Sequence, residues 1–242
     1  MPMVRAMRML NAIEAGTLSG SQLETLLTTD AGRLAELNVL LGLRGQCRRL
    51  AASSTAMAAV VASATAMAAV AASATAMAAV AASNTASDAV FTSATARLAI
   101  YNSDTALAAY QANPTQVQRQ IDTAGRTVTV TAPATQPHTI LANGTRAILL
   151  RRWYPSSEVD AISWGRGQTA FGAGNGPSGG GRNLATASGA AMGATTAYTS
   201  SGSAPTASNA NANFVSAANG LVRYDVGGNW WGVVLNVTYI LV

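Results

Sequence analysis

The sequence predicts an α+β chain in three parts. An N-terminal helical attachment unit spans residues 1–50, and a helical shaft of decapeptide repeats spans 51–124. An antiparallel β-sandwich or jelly-roll-like domain spans 125–242. Three observations predict this. Apolar residues recur at helical spacing before residue 50, the next seventy residues repeat every ten, and period-two alternation with Gly- and Ser-rich connections takes over after Gly125.

In the first part, Met3, Met7, Leu10 and Ile13 form one helical stripe, and Gly16 follows as a C-cap. Ser21, with Glu24 three residues on, has the spacing of a capping box. Asp30 is placed to cap a third helix with apolar positions Leu34, Leu37, Leu40 and Leu41. The cluster Arg44, Arg48 and Arg49 falls at the end of a helical pattern, where cations favour the negative end of the helix dipole.

The second part has the register Ser-x-Thr-Ala-Met-x-Ala-Val-x-Ala. Ser53, Ser63, Ser73, Ser83, Ser93, Ser103 and Asn113 hold its first position, and threonine holds the third from Thr55 to Thr115. The fifth position runs Met57, Met67, Met77, Ser87, Arg97, Leu107, Val117. The eighth runs Val60, Val70, Val80, Val90, Ile100, Tyr110, Gln120. Ten residues of continuous α-helix fall about 80° short of three turns, so a straight Met/Val stripe would require costly overwinding. Breaking the helix once per repeat removes that conflict. Serine is a good N-cap, and Asn113 before Pro114 is a helix-start signal. Two-turn helices are therefore favoured over one long rod. Such short helices need neighbours, either the next repeats of a solenoid or repeats of other copies of the chain.

In the third part, Arg126–Ala132, Arg146–Tyr154, Gly220–Val226 and Asn229–Val242 are the candidate strands, with residues 165–220 mostly loop.

Composition limits the function. The chain has 242 residues, 49% hydrophobic, 10% charged and 5% aromatic, and all fifteen of its basic residues are arginine. Ordinary soluble domains carry about 25% charged residues, so small neutral groups must coat this surface. The net charge of +5 is spread along the chain and does not point to nucleic acid. A single cysteine, Cys47, excludes an internal disulfide framework. The N-terminus lacks the apolar run of a signal peptide. The uncharged stretch Ser53–Ser87 is too rich in Ser, Thr and Ala for membrane insertion.

Chemistry-bearing patterns are sparse. His138 is the only histidine, so a Cys/His pair, a Ser/His/Asp triad and a His-rich metal site lack support. Glu158 and Asp160, with Asp225, are the only acids after Gly125, and surface placement explains the first two better than glycoside cleavage does. Gly174–Gly179 matches G-x-G-x-x-G in letters but lacks the preceding strand and has Pro177 where a helix should begin. Neither catalytic residues nor a cofactor or metal site is expected. Trp153, Trp164, Trp230 and Trp231 are the candidate surface or receptor contacts; core or subunit packing competes with a glycan-binding role.

Ser63–Ala72 and Ser73–Ala82, with Glu14–Ser19, Gly32–Glu36 and Arg44–Leu50 before them, resemble the decapeptide arrays of bacteriophage tail-fibre and baseplate-associated virion proteins. The resemblance covers residues 10–120 and implies a homotrimeric, non-enzymatic structural component of the tail, assembled in the host cytoplasm. It implies contacts with other tail proteins, and a terminal domain facing them or a host-surface glycan. A receptor-binding, lectin-like tip is the alternative expectation.

Overall fold

The computed structural model describes residues 2–132, 138–153, 173–175, 181–183, 213–225 and 235–242. Its contacts divide the chain into two units, Met1–Asp122 and Thr123–Val242.

The first unit is helical throughout. Its helices are α1 (Pro2–Glu14), α2 (Gly20–Thr29), α3 (Ala31–Leu41), α4 (Arg44–Ala52), α5 (Ser54–Ala62) and α6 (Ala64–Ala72). They continue as α7 (Ala74–Ala82), α8 (Asn84–Thr92), α9 (Ala94–Tyr101), α10 (Asp104–Gln111) and α11 (Pro114–Asp122). Every decapeptide from Ser53 onward is thus one short helix, and the break falls at the first position of the repeat.

Serine makes that break. From Ser53 to Ser103 the first-position residues are extended, with φ between −84° and −124° and ψ between 113° and 125°. Each side-chain oxygen accepts the N–H three residues on, closing an N-cap. The chain bends by 105° between α5 and α6. Three such bends nearly complete a circle, so each helix packs on the third one before it: α7 on α4, α8 on α5, α9 on α6, α10 on α7 and α11 on α8. The result is a three-sided solenoid with thirty residues per coil.

The same hydroxyls also tie one coil to the next. Ser73, Ser83, Ser93 and Ser103 donate to the carbonyls of Leu41, Ala51, Val61 and Ala71, each 32 residues earlier, at 2.5–2.9 Å. Those carbonyls lie at helix C-termini, where intrahelical donors have run out. One hydroxyl therefore satisfies an orphan N–H above and an orphan C=O below. Asn113 does the same with two atoms: Oδ1 accepts from the Gln116 N–H, and Nδ2 donates to the Ala81 carbonyl at 2.7 Å.

Positions four, five and eight of the repeat face the interior. Ala56, Ala66, Ala76, Ala86, Ala96 and Ala106 are buried, as are Met57, Met67 and Met77 and every eighth-position residue from Val60 to Gln120. Alanine at position four lets neighbouring backbones approach, and Met and Val fill the axis.

Helices α1–α3 cover the first coil, α2 packing on α5 and α3 on α6. α1 ends in a Schellman motif: Gly16 has φ +71°, its N–H meets the Ile13 carbonyl, and the Thr17 N–H meets that of Ala12. Asp30 caps α3 through the Gly32 N–H. Two expectations need correction. The α1 stripe is Ala6, Met9, Leu10 and Ile13, while Met3 is exposed; the stripe that includes Met3 points partly to solvent. The capping box at α2 is formed by Ser19 and Gln22, not by Ser21 and Glu24. Glu24 is taken elsewhere: it accepts the hydroxyls of Ser63 (2.6 Å) and Thr65 (2.8 Å) and the Thr65 N–H (2.9 Å). It occupies the place at Ser63 that a helix-end carbonyl takes at later corners. These bonds, that from Ser63 foremost, hold its pKa below the ordinary carboxylate value. Gly20 permits this fit, since a Cβ there would lie 2.4 Å from Ala62 Cβ.

The second unit contains an antiparallel sheet. Its described strands are β1 (Val128–Ala132), β2 (His138–Trp153), β3 (Ala173–Asn175), β4 (Gly181–Asn183), β5 (Asn213–Asp225) and β6 (Leu235–Leu241), in the order β1-β6-β2-β5-β4-β3. β2 runs beside β6 with Ile148 opposite Ile240, and beside β5 with Ile148 opposite Ala217. Thr129 and Thr238 share a hydroxyl hydrogen bond of 2.8 Å across β1 and β6. Ala147 to Leu150 are buried in succession, as are Val237 to Ile240, so both faces of the sheet centre are covered. β2 is longer than the expected strand Arg146–Tyr154 and begins at His138. β3, β4 and the start of β5 fall within the stretch expected to be loop. Both strands of the β3–β4 pair carry glycine, whose lack of a side chain conceals a strand pattern.

Candidate functional site

Thirty-residue stacking gives a meaning to residue pairs that look unrelated in sequence. Position six of one helix faces position seven of the helix stacked on it, 31 residues later. In the α8–α11 pair these positions hold Asp88 and Arg119, which form a two-pronged ion pair with both N···O distances 2.6 Å. Gln120 adds an N–H bond to Asp88 at 3.3 Å. The Asp88 hydrogen bond raises the Arg119 pKa.

The α4–α7 pair has the same geometry with different residues. Position six is Arg48 and position seven, 31 residues on, is Ala79. Arg44 lies one turn before Arg48 on the same exposed face of α4. A groove runs between them and α7, lined by Arg44, Arg48 and Ala52 on one side and Ala78, Ala79 and Ala82 on the other. The small side chains of α7 leave the recess, and the two guanidinium groups border it. Neither arginine has an ion-pair partner among the described residues. The expectation that Arg44, Arg48 and Arg49 close a helix is corrected: Arg44 opens α4, behind Leu43, which makes no side-chain cap. Only Arg49 lies in the last turn, and it bonds Glu14 and Asn11 of α1.

The later coils carry a buried polar layer. Ser87 stands where Met57 stands one coil below, and its hydroxyl donates to the Val80 carbonyl at 3.0 Å. Tyr110, fully buried, donates to Ser87 Oγ at 3.3 Å and meets Phe91 edge-on with ring centroids 4.9 Å apart. Burial raises the Tyr110 pKa. Arg97, at position five, turns back to the carbonyls of Phe91 and Thr92 at the end of α8. Ser87, Tyr110 and Arg97 are each hydrogen-bonded, as burial requires, whereas the buried Gln116 leaves its Nε2 without a partner. Ser87 and Tyr110 fix packing and present no group to solvent.

Of the tryptophans, Trp153 closes β2 opposite Asn236 of β6. Trp164, Trp230 and Trp231 lie outside the described residues, as do Glu158 and Asp160. Asp225 ends β5 opposite Arg182. Cys47 is buried in α4, where its thiol donates to the Leu41 carbonyl at 3.3 Å, and burial raises its pKa. Such a thiol is shielded from reaction. Among the described residues no three His, Cys, Asp or Glu cluster as metal ligands, and no single helix is long and apolar enough to cross a membrane.

The groove was not legible in the sequence, because Arg48 and Ala79 become neighbours only once three helices per coil is known. The signal that could have found it is the 31-residue spacing of Asp88 and Arg119. Compared with known protein-family models and with curated proteins, the chain matches none.

Proposed function

We propose that the chain is a bacteriophage tail structural protein, a fibre or baseplate-associated component, whose solenoid is a rigid spacer. The observation that carries this reading is the bond from each first-position side chain between Ser73 and Asn113 to the carbonyl 32 residues earlier. It converts a sequence of low complexity into a column of fixed rise per coil, which suits a part that sets distance. Neutral, small side chains on the outside suit close lateral assembly with like chains. In the proposed particle three copies associate, and the second unit is a sandwich or jelly-roll-like head that joins other tail parts or meets the host surface. Burial of both faces at the sheet centre is the feature in favour of a layered head. Its role is mechanical and non-enzymatic.

Two measurements test this. Purified particles of the phage encoding the chain should contain it in a copy number divisible by three, located to the tail by antibody labelling in electron micrographs. Absence from the particle would refute the reading. Mass measurement of the isolated chain should give a trimer; a stable monomer would remove the trimer from the proposal.

A further inference from the structure

From the α4–α7 groove we infer a docking site for an acidic polypeptide segment of a partner protein, one that presents two carboxylates a helical turn apart. The inference is independent of the phage reading. It follows from comparing two positions that the solenoid makes equivalent. At α8–α11 the position-six and position-seven residues neutralise each other within the chain, Asp88 gripping Arg119 through both carboxylate oxygens. At α4–α7 the same two places hold Arg48 and Ala79, so a cation faces a methyl group. In the three pairs between them both places hold alanine (Ala58 with Ala89, Ala68 with Ala99, Ala78 with Ala109). Arg48 is thus a charge introduced without a carboxylate opposite it, and the recess over Ala78, Ala79 and Ala82 is the space in which one can sit. Arg44 doubles the charge one turn away and sets the spacing of the second carboxylate. The alanine floor offers apolar contact to the methylene groups of glutamate side chains. Planar guanidinium groups select carboxylates through paired N–H bonds. Because both arginines are exposed, the contact is weak, salt-sensitive and suited to one site among several in an assembly.

The test uses the full chain at low ionic strength. The probes are a helical peptide with two glutamates four residues apart, the same peptide with glutamines, and inorganic phosphate, each titrated calorimetrically. The glutamate peptide should bind and the glutamine peptide should not, with affinity falling as salt is added. Arg44→Gln with Arg48→Gln should weaken binding about tenfold, the loss of two exposed ion pairs. Ala79→Asp should weaken it similarly while leaving both arginines in place, because it supplies in the chain the carboxylate that the peptide brings. Unchanged circular dichroism would show that these surface variants fold. Equal binding by the double variant, no effect of Ala79→Asp, or phosphate binding as tightly as the peptide would each overturn the inference.

Discussion

In α5, α6 and α7 the inward residues are Met57 with Val60, Met67 with Val70, and Met77 with Val80. In α8, α10 and α11 the same places hold Ser87 with Val90, Leu107 with Tyr110, and Val117 with Gln120. The corners between these helices hardly change: serine throughout, then asparagine once. The core tolerates exchange where volume and hydrogen bonds are compensated, as when Tyr110 comes to fill the space beside a small Ser87. The corner tolerates only a side chain that both accepts and donates. Aspartate, an equally good N-cap, has no proton to give the carbonyl of the coil below.

The largest expected effect breaks the compensated core. Tyr110→Ala removes the bulkiest fully buried side chain among the described residues and should cost about 4 kcal/mol in denaturant unfolding. Ser87→Met, which restores the residue of the earlier repeats, should overpack against Tyr110 and cost about 2 kcal/mol. Combined with Tyr110→Val, it should cost much less than the two single effects added together. Strict additivity would mean that the two positions do not share one space.

The corner comes next. Ser83→Ala loses both the cap and the link to the Ala51 carbonyl, about 2 kcal/mol in total. Ser83→Asn should retain most of that, because Asn113 already performs both bonds, whereas Ser83→Asp should keep the cap and lose the link. Thermal melts of the three variants should rank Asn above Asp and Asp above Ala. An Asp variant equal to Asn would show that the intercoil bond contributes nothing.

The smallest effect concerns the first corner, where Glu24 replaces the helix-end carbonyl. Its folded pKa is lowered, so its contribution is fully present above the ordinary carboxylate pKa and is lost as pH falls through the lowered value. Stability should therefore decline on acidification, and Glu24→Gln should flatten that decline. An unaltered pH profile would remove Glu24 from the acid response.

Much of the solenoid was visible in the residues, because each helix start from Ser53 onward depends on a local bond within three residues. Asp30, Ser53 and its successors, and Asn113 with Pro114 all announce their caps. Long-range partnership was not visible. Nothing near Glu24 in sequence distinguishes a ligand of Ser63 and Thr65 from a capping-box member, and Ser19 with Gln22 offered the same local spacing. The bend that selects three helices per coil arises from backbone angles at serine combined with packing of Met and Val, and ten-residue periodicity alone fits other coilings. The groove beside Arg48 inherits that dependence. In the second unit, the candidate strands marked β1, β6, part of β2 and the end of β5, but the Gly-bearing pair β3–β4 carried no side-chain signal.

The central claim is that residues thirty apart are stacked neighbours. Spin labels on cysteines at Ala68 and Leu98, both exposed at position six, measure this directly. The solenoid predicts a short distance, with helix axes about 10 Å apart. A continuous helix over the same thirty residues would separate the labels by about 45 Å, and that result would contradict the account.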